Sequence, residues 1–209
     1  MKKETRDSRA LVIVCHPDRK SFNHALANAS VTGLQARGFS VNLRDLYAEN
    51  FDPVISREEF HGGTTQDANV LEHIALLQSA NMLVVIHPNC WGSPPAMIKG
   101  WMDRVFALNS AYAFEKGTDL GDTPKGLLRL EAAIVFNTSN TTEEREGANF
   151  GDPLDRIWKD CLLRYCGVPK VDRRVFRVVA TSTAELRSTW LLQARELIEQ
   201  ASSSLGFSE

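Results

Sequence analysis

Apolar and polar positions along the chain follow two periods in turn. Leu11–Cys15 and Met82–Ile86 are continuous apolar runs, short enough to be buried parallel strands. Glu131–Asn137 reads as a further strand, Ser40–Leu46 alternates as SVNLRDL, and Val171–Val179 interleaves Arg and Val as at a sheet edge. Helical spacing fills the gaps. Phe22–Arg37 places Leu26, Ala29, Gly33 and Leu34 on one face and stops at Gly38. Val70–Ser79 leads into the Met82 strand, and Ala96–Phe106 carries a broad stripe of Met97, Ile98, Trp101, Met102, Val105 and Phe106. Leu154–Cys166 sets Leu154, Ile157, Trp158, Cys161, Leu162 and Tyr165 at helical spacing before Gly167. The closing helix opens on a capping box, Ser182-x-x-Glu185, and is expected to bury Leu186, Trp190, Leu197 and Ile198. Tyr47–Thr65 looks irregular, with turns at its DP and GG pairs.

Strands alternating with helices imply an α/β fold: a parallel sheet with right-handed crossovers and helices on both faces. Five strands suit the doubly wound order 2-1-3-4-5 better than a six-stranded dinucleotide fold. The 209 residues are expected to form a single domain, 1–209, with 1–10 as a charged tail. A net charge of −2 disfavours nucleic acid as the main partner and an acidic, electrostatically steered electron carrier alike. No run reaches transmembrane length and no signal peptide is evident. Four cysteines without zinc or CxxC spacing read as reduced thiols, hence an expected cytoplasmic location.

Candidate chemistry gathers at the strand ends. The first glycine of the chain is Gly33, so neither a dinucleotide fingerprint nor a P-loop follows the first strand. His16-Pro17-Asp18-Arg19-Lys20-Ser21-Phe22-Asn23 stands there instead, and a helix start bearing Ser21, Asn23 and His16 suits a phosphate. The plainer reading is a Ser21 cap beneath a solvated basic loop. Arg19 follows Cys15 by four residues, so this is no cysteine-phosphatase loop. After the Met82 strand comes Pro88-Asn89-Cys90-Trp91-Gly92-Ser93-Pro94-Pro95, a stiff loop along which a flat aromatic ligand could lie. A Trp-anchored structural loop is the alternative.

Taken together these loops carry a resemblance. His16…Ser21-Phe22-Asn23, and Pro88…Trp91…Pro95-Ala96…Lys99-Gly100-Trp101…Asp103-Arg104-Val105-Phe106, are similar to signatures of the flavodoxin-like NAD(P)H:quinone reductases. That family includes flavin-binding regulators of potassium efflux and drug-activity modulators. Asp45-Leu46-Tyr47 followed by Phe51-Asp52-Pro53 also resembles the family's second-strand exit, and the likeness spans most of Leu11 to Gly167. It implies a flavodoxin-like fold and a cofactor, FMN or alternatively FAD, with NAD(P)H as hydride donor and a quinone-like or other aromatic acceptor. By the resemblance His16, Ser21, Phe22 and Asn23 would hold the phosphate and ribityl chain. Pro88, Asn89, Cys90, Trp91 and Gly92 would run along the isoalloxazine edge. Asn137, Thr138, Ser139 and Asn140 would contact its pyrimidine side. Tyr112, with Phe114 nearby, would lie over the flavin of a partner subunit, which implies a homodimer.

The chain also departs from that family. Where the reductases carry Thr-Thr-Gly-Gly after the fourth strand, this chain has Asn137-Thr138-Ser139-Asn140, without the glycines that ease close backbone approach. No Tyr or His occurs from Thr138 to Arg164 to relay a proton, so no catalytic acid or base is named. Thr141–Gly147 reads as a charged, solvated loop, in which Arg145 could alternatively meet a cofactor phosphate or a substrate acid. Other functions remain in view. One is a flavodoxin-type electron carrier or flavin-dependent regulatory subunit. Another is a flavin-free hydrolase using Cys90 and His87, and a third is a receiver, which would need an aspartate where His87-Pro88 stands.

Overall fold

The computed structural model describes residues 8–115, 122–203 and 205. Its frame is a five-stranded parallel sheet of β1 (Arg9–Val14), β2 (Ser40–Asp45), β3 (Met82–Pro88), β6 (Ala132–Ser139) and β7 (Lys170–Arg177). Their order is β2-β1-β3-β6-β7, which is 2-1-3-4-5 counted over the long strands, as the sequence predicts. A two-residue pair, β4 (Tyr112–Ala113) with β5 (Lys125–Gly126), lies outside this sheet and has no counterpart in the sequence reading. Most of the predicted charged tail falls outside the described residues, but Arg9 and Ala10 open β1 rather than closing a tail.

The two faces of the sheet are covered by different helices. Val12, Val14, Val84, Ile86, Ile134 and Phe136 pack under α1 (Phe22–Ala36) and α7 (Ala184–Ser203). Leu11, Ile13, Leu83, Val85, Ala133 and Val135 pack under α3 (Ala68–Ser79), α4 (Ala96–Val105) and the helix beginning at Pro153. The two apolar runs of the sequence are therefore central strands, buried on both sides.

Four expectations change on contact with the structure. The helix from Pro153 starts as α6 (Pro153–Arg156) and continues as a π-helical stretch, Ile157–Arg164. That wider turn shifts the phase, so Leu154, Trp158, Leu163 and Cys166 are buried, while Cys161 and Tyr165 are exposed. The closing helix is capped by Thr183, whose Oγ1 accepts from the Leu186 amide at 3.2 Å, whereas the Ser182 hydroxyl donates to the Val179 carbonyl. Leu186 is exposed; Trp190 and Ile198 are buried as expected. The irregular Tyr47–Thr65 stretch contains a short helix, α2 (Arg57–Phe60), with its own capping box between Ser56 and Glu59. Buried Arg104 of α4 ties that stretch down, through Glu59 at 3.0 Å and the Asp52 carbonyl at 2.7 Å. Finally, Thr141–Gly147 is solvated as expected but helical rather than a loop: Thr142 caps α5 (Glu143–Asn149), and Glu146 alone turns inward to be buried.

Candidate functional site

Three loops leave the carboxyl ends of the neighbouring strands β1, β3 and β6, where open α/β sheets bind ligands. The loop after β3 is the most tightly built. Cys90 and Ser93 exchange two backbone hydrogen bonds of 3.0 Å around a two-residue turn. Both central residues are left-handed, Trp91 at φ 58° and Gly92 at φ 70°, as a primed turn requires. Glycine meets that requirement freely and is also needed for space, since a Cβ on Gly92 would come 2.9 Å from Pro153 Cγ. Trp91 meets it under strain, and its indole stands fully in solvent. Asn89 fixes the turn: its amide donates to the Thr138 carbonyl at 2.7 Å, and its Oδ1 accepts from the Gly92 amide at 2.8 Å.

In the loop after β1, His16 is half-buried, and its Nδ1 lies 3.0 Å from the Asp18 amide nitrogen and 3.2 Å from the Asp18 carbonyl oxygen. Ser21 is the N-cap of α1. Its hydroxyl also meets His24 Nδ1 at 3.0 Å, and His24 Nε2 meets Asp45 Oδ2 at 3.1 Å. Phe22 points away from the loop into the α1–α7 core, edge-on to Phe176. Asn23 is buried and its Nδ2 donates to Thr138 Oγ1 at 3.0 Å, joining the first loop to the fourth strand.

Behind these loops runs a buried polar chain. Trp158 Nε1 donates to His87 Nε2 at 2.8 Å, and the opposite ring nitrogen lies 2.8 Å from the Pro88 carbonyl. Asn137 Nδ2 reaches His87 Nε2 at 3.0 Å, while Asn137 Oδ1 accepts from Arg173 Nε at 2.6 Å. Arg173 pairs onward with Asp152 at 2.7 Å. Burial and the Arg173 charge pull His87 down to about 4, against the lift from the Pro88 carbonyl, so the ring is neutral near pH 7. Asn137 thus spends its side chain inside the sheet. Ser139 is buried with its Oγ accepting from the Thr141 amide, and Asn140 is exposed with its Oδ1 accepting from the Ala180 amide.

Nucleophile chemistry has little support here. Burial pushes Cys15 up to about 12 and raises Cys90, so both are thiols near neutral pH, and His87 has no nitrogen to spare for Cys90. Among the described residues no His, Cys, Asp and Glu cluster could hold a metal. What the loops offer is a fixed backbone edge, an exposed indole and hydroxyl, amide and imidazole groups at the start of α1.

Tyr112 and Phe114 are brought elsewhere. Tyr112 lies edge-on to Phe114 and Tyr165, in a cavity of about 600 Å³ also lined by Phe60, Arg104 and Phe106. None of the three loops lines that cavity. The sequence reading missed Glu146, Arg173, Arg177 and Asp152 behind the turn, and His24, which links Ser21 to Asp45. Three arginines, Arg173, Arg174 and Arg177, in one strand with Val171, Val175 and Phe176 were the signal available for the first group.

A family model described as a flavodoxin-like fold matches residues 8–199. An uncharacterized NAD(P)H oxidoreductase of Haemophilus influenzae is 34% identical over 176 residues, covering 79% of this chain and 82% of that protein. NAD(P)H dehydrogenase (quinone) 1 of Cavia porcellus is 26% identical, covering 91% of this chain and 76% of the relative. Among solved structures, the NAD(P)H:quinone oxidoreductase from Methanothermobacter marburgensis superimposes with a TM-score of 0.78 at 27% identity, over 92% of this chain and 96% of that one.

Proposed function

The chain belongs to the family of flavodoxin-like folds matched over residues 8–199, and from that membership we propose an NAD(P)H-dependent flavoprotein oxidoreductase. Its acceptor would be a quinone or a comparable aromatic compound, the class that its relatives' names state. One observation carries the reading. The strands β1, β3 and β6 deliver an anion-suited helix start, a preset turn with an exposed indole, and a hydroxyl-bearing strand end to the same edge of the sheet.

Those residues fit a flat cofactor with a phosphate tail. Ser21 and His16, beside the first turn of α1, suit the phosphate. The Asn89–Gly92 edge suits the ring system, because Asn89 already holds the turn in place. Thr138, tied to Asn23, and the Ser139–Asn140 segment suit the ring's polar side. A bound flavin supplies hydride acceptance from the nicotinamide and electron delivery to the acceptor. This chain would position it along a turn whose Asn89, Cys90 and Gly92 amides are already bonded within the protein, so that the turn keeps its shape with or without the ring. FMN is preferred because no adenosine-binding segment is readable; FAD is the alternative, with the Tyr47–Thr65 stretch as a cover for an adenine.

A homodimer completes the reading. Phe60, Leu108 and Tyr165 are exposed around the Tyr112 cavity, where a second copy would bring Tyr112 and Phe114 towards the partner's flavin. Four free cysteines suit a cytoplasmic enzyme.

The visible spectrum of the purified protein, before and after anaerobic NADPH or NADH, tests the proposal. Flavin bands near ~375 and ~450 nm that bleach quickly are expected, with parallel double-reciprocal lines for donor and acceptor. Bands that form but stay oxidised favour an electron carrier or regulatory subunit. A protein that refuses both FMN and FAD defeats the reading.

A further inference from the structure

We infer that His24 couples binding of the cofactor's phosphate to uptake of one proton. The inference rests on the flavin reading above and concerns the chain Ser21–His24–Asp45 behind the first loop. Asp45 Oδ1 accepts the Tyr47 and Ala48 amides, each at 3.1 Å, which holds the carboxylate as an acceptor. Its Oδ2 lies 3.1 Å from His24 Nε2, so that nitrogen carries a proton and donates it. A neutral His24 then has a bare Nδ1, 3.0 Å from the Ser21 hydroxyl.

A hydroxyl has one proton to give. With His24 neutral, Ser21 spends it on Nδ1 and presents only lone pairs at the mouth of the loop. Those lone pairs repel an anionic oxygen. With His24 protonated, Nδ1 donates to Ser21 Oγ, which also accepts from the His24 amide at 3.4 Å, and the hydroxyl proton turns outward to a phosphate oxygen. The imidazolium then lies between two anions, Asp45 behind and the phosphate in front. Phosphate binding and His24 protonation therefore favour each other, and by linkage the effect is reciprocal.

Of the other titratable groups around this end of α1, His16 stands beside the phosphate in the reading above, and the rest are engaged elsewhere or face solvent. In the preceding loop His16 Nδ1 meets the Asp18 backbone, Asp18 Oδ1 takes the Lys20 amide at 2.8 Å, and Arg19 and Lys20 are exposed. On β2, Arg44 pairs with Glu49 and Glu72. β1 places Arg9 at its opposite end, and on α7 Arg187 donates to Ser182 and the Val179 carbonyl while Glu185 is exposed. His24 is half-buried against Asp45 alone among these.

Calorimetric titration of the flavin-free protein with FMN, FAD and riboflavin, in buffers of different ionisation enthalpy, counts the protons exchanged. Scanned across pH, the phosphate-bearing flavin that binds should reach an uptake close to one proton greater in the wild-type protein than in His24→Gln. Riboflavin, lacking the phosphate, should show no such difference between the two proteins. Equal proton numbers for the wild-type protein and His24→Gln with the phosphate-bearing flavin would overturn the coupling while leaving the flavin reading intact. Failure of all three flavins to bind would take down both.

Discussion

Asn89 Nδ2 donates to Glu146 Oε1 at 2.9 Å, across 57 positions of sequence. The bond ties the turn after β3 to the helix after β6. Glu146 is 2% exposed, and Arg177 grips its other oxygen from the edge strand. The left-handed Trp91–Gly92 turn is thus held by a carboxylate that never touches it.

Removing that carboxylate should be costly. Glu146→Ala leaves Arg177 without its buried partner and Asn89 without an acceptor, a loss of about 3 kcal/mol. Glu146→Gln keeps an acceptor for Asn89 and should lose less. Urea midpoints at unchanged slope measure both, and flavin affinity should weaken in the same order. An alanine variant as stable as the wild type would show that the pair holds nothing up.

How far the sequence foretold this site depends on the range of each interaction. The central strands, α1 and α4 carry their periodicity and end signals locally, so Met82–Ile86 and the Ala96 helix were readable. The position of Asn89 was readable too, but its partner was not. Glu146 sits among Glu143, Glu144 and Arg145, where charge alone suggests a solvated run; only its pairing with Arg177 of β7 marks it as interior. Local spacing likewise cannot show the π-helical turn that moves burial from Leu162 to Leu163, because tertiary packing decides it.

His87 should make the protein sensitive to mild acid. Its folded value of about 4 lies below the ordinary one of 6.5, so between them the unfolded chain binds more protons. The stabilisation is complete above the ordinary value and is lost as pH falls towards the folded one, amounting to about 3 kcal/mol over that window. His73 acts in the same direction, lowered by burial despite Glu49, and its Nδ1 accepts from Trp101 Nε1 at 3.0 Å. Urea midpoints should drop steadily from about pH 7 to about pH 5. The His87 ring proton resonances should stay still over that range; a midpoint near the ordinary value would contradict the neutral, bonded ring.

Gly100→Ala reverses the usual helix-propensity argument. In an open helix alanine gains about 1 kcal/mol over glycine. Here a Cβ would stand 2.2 Å from the Pro53 carbonyl oxygen and 2.4 Å from Pro53 Cα, backbone atoms that cannot swing aside. Pro53 adjoins Asp52, whose carbonyl accepts from Arg104 of the same helix, so the segment has little room to retreat. Net destabilisation of about 2 kcal/mol is expected. A variant at least as stable as the wild type would mean that the Tyr47–Thr65 stretch moves freely over α4.

Trp91 separates stability from function more sharply than any other position. Its indole is fully exposed and its backbone is left-handed, so Trp91→Gly should cost no stability and relieve about 1 kcal/mol of strain. Nothing in the packing of one chain explains a tryptophan there; a flat ligand along the Asn89–Gly92 edge does. The other three tryptophans, Trp101, Trp158 and Trp190, are buried, so the iodide-quenchable, red-shifted fluorescence belongs to Trp91. Adding FMN or FAD should abolish that component and shield it from iodide. The Trp91→Gly protein should have a urea midpoint at or above that of the wild type while losing about tenfold or more in flavin affinity, the weight of one aromatic contact with its buried area. A red-shifted emission that ignores bound flavin would place the cofactor on another face of the molecule and remove Trp91 from the site.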